Sequence, residues 1–141
     1  MKINVICGSH PRNLLLLQGL LSVKNVEVIG QVIFEREDLM PEPDESISSH
    51  HKELWKMHFE KRRDAEEHFF TIDKTILNSA STHIVYSSSE LNSQSTINFL
   101  DDHHADACFI TGIPILIDPL FSKLPKYTVN LHLGLIPHYK G

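Results

Sequence analysis

Near the end of the chain an asparagine and a histidine stand two residues apart, Asn130 and His132, within VNLHLGLIPHYKG (129–141). In an extended strand, residues i and i+2 point to the same face. The pair therefore presents an amide and an imidazole into one space. That combination suits acyl transfer to an amine. The tetrahedral intermediate of such a reaction carries an oxyanion, which a side-chain NH₂ stabilises. A histidine donates a hydrogen bond to the same oxygen or helps to move the amine's proton. The competing structural reading is an asparagine that caps a turn and a histidine satisfied within the core.

Two turns offer further chemistry. GSHPRN (8–13) links a strand to the start of a helix. Such turns bind phosphate through backbone N–H groups and the helix dipole, and Arg12 adds a guanidinium suited to the same group. Ser9, His10 and Arg12 are the candidate substrate-binding residues. The single glycine excludes the Gly-x-Gly-x-x-Gly dinucleotide fingerprint. The alternative is an exposed turn in which Ser9 or Asn13 caps the helix. In the second turn, Gly112 leads into Ile113, Pro114, Ile115 and Leu116. These apolar side chains suit the walls of a pocket for a flat heterocycle; the alternative is a tight strand-to-helix turn with a buried Leu116.

Two charged clusters carry less. Lys61, Arg62 and Arg63 form either a phosphate patch or, as helical Glu–Lys pairing suggests, a solvated helix face. Asp101, Asp102, His103 and His104 are metal-ligand types, but without a known ligand spacing. At a helix C-terminus, histidines also interact well with the dipole. No metal is expected.

The elements that position these residues follow from patterning. Short Val- and Ile-rich runs predict strands over 2–7, 26–34, 82–87, 106–116 and 127–132. Helices are predicted over 14–22, within 90–105 and over 118–125, where Pro119 falls in the first turn. From Ser46, Ser48 or Ser49, as caps, the chain reads as helical to about Leu77, with a break near 70–73 allowed. Leu54, Met57, Ala65, Phe69, Ile72 and Ile76 recur at helical spacing, interrupted by Lys61, opposite a charged face of Glu53, Lys56, Glu60, Arg63 and Glu67. The order is that of an α/β, Rossmann-like doubly wound, mostly parallel sheet with a helical insert at about 46–78, in one domain spanning 1–141. Ligands of such sheets bind at the carboxyl ends of the strands, where residues 8–12, 112–116 and 130–132 all fall.

Composition sets outer limits. The chain has 141 residues, 41% apolar and 22% charged, which suits one domain with a real core. No apolar run reaches the roughly 18–20 residues of a membrane span. A formal charge of −5 argues against non-specific binding to nucleic acid or membrane. Cys7 and Cys108 lie in strand-like runs and read as core thiols in a reducing, cytoplasmic setting.

The closing stretch resembles the signature of the tetrahydrofolate-dependent formyltransferases, a superfamily acting on glycinamide ribonucleotide, methionyl-tRNA and sugar nucleotides. Asn130, His132, Leu135, Pro137, Tyr139 and Gly141 match its pattern. The resemblance is good over 82–141 and weaker over 1–34, while the 35–80 region is variable in the superfamily. It implies transfer of a formyl group from N10-formyltetrahydrofolate to a primary amine of a small phosphorylated or nucleotide-linked substrate, such as an amino sugar. Asn130 would polarise the formyl oxygen and His132 would stabilise the oxyanion. Ile113, Pro114, Ile115 and Leu116 would meet the pterin. The loop with Ser9, His10 and Arg12 would face the substrate phosphate, and HPRNLLLL is most similar to the sugar-nucleotide branch. The superfamily's third catalytic residue, an aspartate, lies a few dozen residues further along. Asp101, Asp102, Asp106 and Asp118 precede the motif and do not match it. The expectation is therefore an N-terminal catalytic domain incomplete at its C-terminus. The alternative is a truncated, inactive module that holds folate or a nucleotide. A sheet cut there would expose an edge and invite self-association.

Overall fold

The computed structural model describes residues 1–35, 42–73, 75 and 78–132. Strand β1 (Lys2–Gly8) is buried from Ile3 onward, as expected of a central strand covered on both faces. Helix α1 (Pro11–Leu21) follows almost at once. It starts three residues earlier than its leucine run predicts, because Pro11 in the first turn is preset for the helix and needs no N–H partner there. His10 is the N-cap residue and makes no side-chain capping bond, so neither Ser9 nor Asn13 takes that role. Strand β2 (Glu27–Phe34) completes a β-α-β unit.

Helix α2 (Ser49–Phe69) is capped by Ser48, whose hydroxyl accepts the His51 N–H at 3.4 Å. It ends where the break near 70–73 is expected and does not run on toward Leu77. Its predicted apolar stripe is not turned inward. Leu54, Met57 and Phe69 are 43%, 44% and 73% exposed, and the buried residue of the helix is Glu66. Helical periodicity identifies a stripe but not what covers it, and here an ion pair sets the orientation. Ile72 does pack on the core, whereas Ile76 lies outside the described residues.

Strand β3 (Ser81–Val85) leads to two short helices, α3 (Ser88–Leu91) and α4 (Gln94–His103). Strand β4 (Ala107–Thr111) is shorter than its apolar run predicts. Gly112 turns the chain with φ of +62°, a conformation open to glycine and strained for other residues. An extended segment then reaches α5 (Leu120–Lys123), with Pro119 at its N-cap, and β5 (Tyr127–Leu131).

Among the described residues the sheet has five strands in the order β3-β2-β1-β4-β5, all parallel. The order reverses beside β1, the position at which such sheets open a crevice. Ile3, Val5, Cys7, Val28 and Ile33 pack against Leu17 of α1 on one face. On the other, Ile6, Val32, Val85, Cys108 and Ile110 pack against Leu91, Phe99 and Leu100 of α3 and α4. The fold is therefore Rossmann-like and doubly wound. Cys7 and Cys108 are free, buried, and on opposite faces; burial raises both thiols to about 12. Strand β5 closes one side of the sheet and is largely exposed, including Tyr127, Val129 and Leu131. Among the described residues no helix is long and apolar enough to cross a membrane.

Candidate functional site

Gly8 at the end of β1 and Gly112 just beyond β4 lie almost in contact. A Cβ on Gly8 would stand 2.5 Å from the Gly112 carbonyl oxygen and 2.9 Å from Asn13 Nδ2; one on Gly112 would overlap the Asn13 side chain. Asn13, 3% exposed, thus reaches back from α1 and fills the gap between the two turns. The sequence places a polar residue one turn into an apolar helix, which is a signal of some kind. Only the topology shows that it spaces two glycines from different strands.

The first turn uses much of its own polarity internally. The Ser9 N–H donates to the Phe34 carbonyl at 3.0 Å, and the Asn13 and Leu14 N–H groups donate to the His10 carbonyl at 2.9 and 3.1 Å. Pro11 has no N–H to offer. Ser9 is half-buried and His10 is 5% exposed. The feature of this turn best placed for an anion is the Arg12 side chain. Its Nη1 meets Glu66 Oε1 at 2.6 Å, and Arg62 Nε reaches the same oxygen at 3.1 Å from one turn earlier in α2. The basic run of α2 is thereby divided: Arg62 also lies over the Phe59 ring, 5.8 Å from its centre, Arg63 bonds Asp64, and Lys61 is exposed.

The second turn divides its residues between core and cavity. Ile113 and Leu116 pack against the core beneath α3 and α4. Pro114 and Ile115 line an open cavity of about 660 Å³ with Ser88, Ser89, Asn92 and Ile117. That size falls within the range of small-molecule pockets. Asn92 holds this segment in place. Its Nδ2 donates to the carbonyls of Ile115 (3.2 Å) and Ser88 (2.9 Å), and its Oδ1 accepts the Ile117 N–H at 2.9 Å. One side-chain amide thus stands in for a strand neighbour. Beside it, Ser87 caps α3, its Oγ accepting the Glu90 N–H at 3.2 Å, while Glu90 Oε2 accepts the N–H of Tyr86, the residue before the cap, at 2.8 Å. Asn92 is a site residue that the sequence does not reveal.

Asn130 pairs in register with Ile110, a residue of the core face on which Ile113 and Leu116 also pack. Parallel partners share a face, so Asn130 lies on the same side of the sheet as the cavity segment. His132 directly follows β5, and both residues are exposed. Leu135, Pro137, Tyr139 and Gly141 lie outside the described residues.

The Asp101–His104 run is not gathered into one cluster. His103 Nδ1–H donates to the Phe99 carbonyl at 2.6 Å, and its ring packs over Gly30. His104 closes α4 in a left-handed conformation, and Asp106 Oδ2 accepts the Lys2 N–H at 2.8 Å. Among the described residues no group of three potential metal ligands converges. No protein-family model matches the chain, and no curated protein gives a significant match to its sequence.

Proposed function

We propose that the chain is a formyltransferase domain that moves the formyl group of N10-formyltetrahydrofolate to a primary amine. The amine belongs to a small phosphorylated or nucleotide-linked molecule such as an amino sugar. One observation carries the reading: Asn130 and the 113–117 segment occupy the same face of the sheet, at the carboxyl ends of neighbouring strands. In that arrangement Pro114 and Ile115 flank the pterin, while Ile113 and Leu116 anchor the segment to the core. The folate supplies the formyl group. The Asn130 amide donates to the formyl oxygen, and His132 donates to the same oxygen or takes the amine's proton. Arg12 holds the substrate phosphate.

Isothermal titration of the chain with a stable formyltetrahydrofolate analogue tests this, repeated with Asn130→Ala and His132→Ala. Saturable binding, weakened by about tenfold in each variant, is expected from the loss of one charge-directed hydrogen bond. A folded chain that shows no binding would refute the reading.

One observation favours a second reading, a module that holds folate or a nucleotide without turnover. Asn130 and His132 are both exposed, on and just beyond β5, which is the outermost strand among the described residues. Oxyanion stabilisation gains most of its worth where water is excluded. Binding of the donor with no transfer to amino-sugar nucleotides would support this module.

A further inference from the structure

A further cavity lies toward the end of the sheet opposite Gly8 and Gly112. Asn4 near the start of β1, Cys108 near the start of β4 and Pro125 just before β5 all line it, with the end of α4 and the end of α5 around them. We infer that this cavity binds a small zwitterion, an α-amino acid of about alanine's size. Three observations lead there.

The first is a buried amide that the strand itself does not need. Asn4 interrupts the apolar run of β1 and is 2% exposed. Its Nδ2 makes one long bond, to the Leu100 carbonyl at 3.4 Å, and its Oδ1 has no partner among the described residues. A buried amide so thinly bonded costs stability, and this one forms part of the cavity wall. An asparagine Nδ2 carries two hydrogens, so one is left for a carboxylate oxygen. The second observation is charge. Asp101 of α4 and Lys123 of α5 line the same cavity, and neither makes a salt bridge or a side-chain hydrogen bond among the described residues. His104 lines it too; with histidine counted as neutral, the cavity carries one carboxylate and one ammonium. A simple anion meets repulsion from Asp101 and a simple cation meets it from Lys123, whereas a molecule with both charges finds a partner for each. The negative end of the α4 dipole adds to Asp101 in favouring an ammonium. The third observation is size. The cavity holds about 160 Å³. A space of roughly 150 Å³ accommodates benzene, which alanine matches in heavy atoms.

In this arrangement the ligand's carboxylate lies between Lys123 Nζ and Asn4 Nδ2, its ammonium meets Asp101, and its methyl group faces Leu124 and Pro125. The ligand thereby ties the end of α4 to the end of α5, two helices that already pack together. The site is separate from the turns at the carboxyl ends of the strands. The inference does not depend on formyl transfer or on the folate segment.

The test uses the 141-residue chain titrated with L-alanine and followed by backbone amide chemical shifts. Propionate and ethylamine, which are alanine without its ammonium and without its carboxylate, are the two controls. Alanine should bind saturably with a Kd of about 1 mM or tighter, moving the amides of 101–105 and 123–126. Each control should bind at least about tenfold more weakly. Asp101→Asn should weaken alanine by about tenfold yet strengthen propionate, because it removes the charge that repels an anion. Lys123→Gln should weaken alanine and strengthen ethylamine by the same reasoning. Both side chains are exposed, so neither exchange endangers the fold. Asn4→Ala should weaken alanine and leave ethylamine unchanged; if that variant does not fold, the two surface variants decide the matter. A folded chain whose shifts do not respond to alanine would overturn the inference. So would propionate or ethylamine binding as tightly as alanine, since a single charge would then suffice. Shifts confined to 8–13 and 112–117 would overturn it too, by placing the amino acid at the other end of the sheet. Each of these results leaves the folate titration to stand or fall separately.

Discussion

At the scale of single residues, the junction of the site depends on what is absent from two positions. Gly8 and Gly112 have no Cβ, and Asn13 fills the space that a Cβ would need. Gly112→Ala should lower stability by roughly 2–4 kcal/mol, from the left-handed backbone and the overlap together. Combining it with Asn13→Ala should recover the overlap but not the backbone strain, giving a coupling of about 1 kcal/mol or more. Urea midpoints for the two single variants and the double variant measure this, and strict additivity would show that Asn13 is not the obstructing group. Glycine at the end of a strand is legible in sequence as a turn. That two such glycines touch is not, because Gly8 and Gly112 stand over a hundred residues apart and meet only through the β1–β4 pairing. Asn13 and Glu66 were hidden for the same reason: a polar residue on a helix becomes informative only once its partner across the fold is known.

At the scale of elements, the 113–117 segment owes its shape to Asn92. Removing that amide in Asn92→Ala leaves two carbonyls and one N–H without their side-chain partner, in a partly exposed setting. A loss of about 1–3 kcal/mol is expected, with faster exchange of the Ile117 amide. Asn92→Asp keeps an acceptor for that amide but loses both donations, so its effect on exchange should be smaller. Equal effects would argue against the strap. The strands were readable because Val and Ile runs of five to eight residues, closed by turns, have few other uses in a parallel sheet. The start of α1 was not, since its leucines begin three residues after Pro11 sets the helix going. The α2 stripe misled in a different way. Leu54, Met57 and Phe69 are spaced as a buried face would be, yet Arg12 and Arg62 draw Glu66 inward and leave the stripe in water. An ion pair between distant segments has no period to read.

At the scale of the whole molecule, the sheet's order places three candidate segments at one end and buries one thiol on each face. Both thiols are raised by burial from 9.0 to about 12. In the unfolded chain they ionise from about pH 9, while in the folded chain they stay protonated, so the unfolded state binds fewer protons there. Stability should be independent of these groups below about pH 9 and should fall above it, by up to about 1.4 kcal/mol per pH unit for each thiol. Denaturant midpoints between about pH 8 and 11 check this, and Cys108→Ala should remove about half of the thiol-dependent slope. The same arrangement gives the protein two clocks. Cys7 answers only when the α1 side of the sheet opens, and Cys108 only when the α3–α4 side does. A pulse of thiol reagent, read separately at each cysteine, would therefore time the two halves of the core against each other and tell whether they part together.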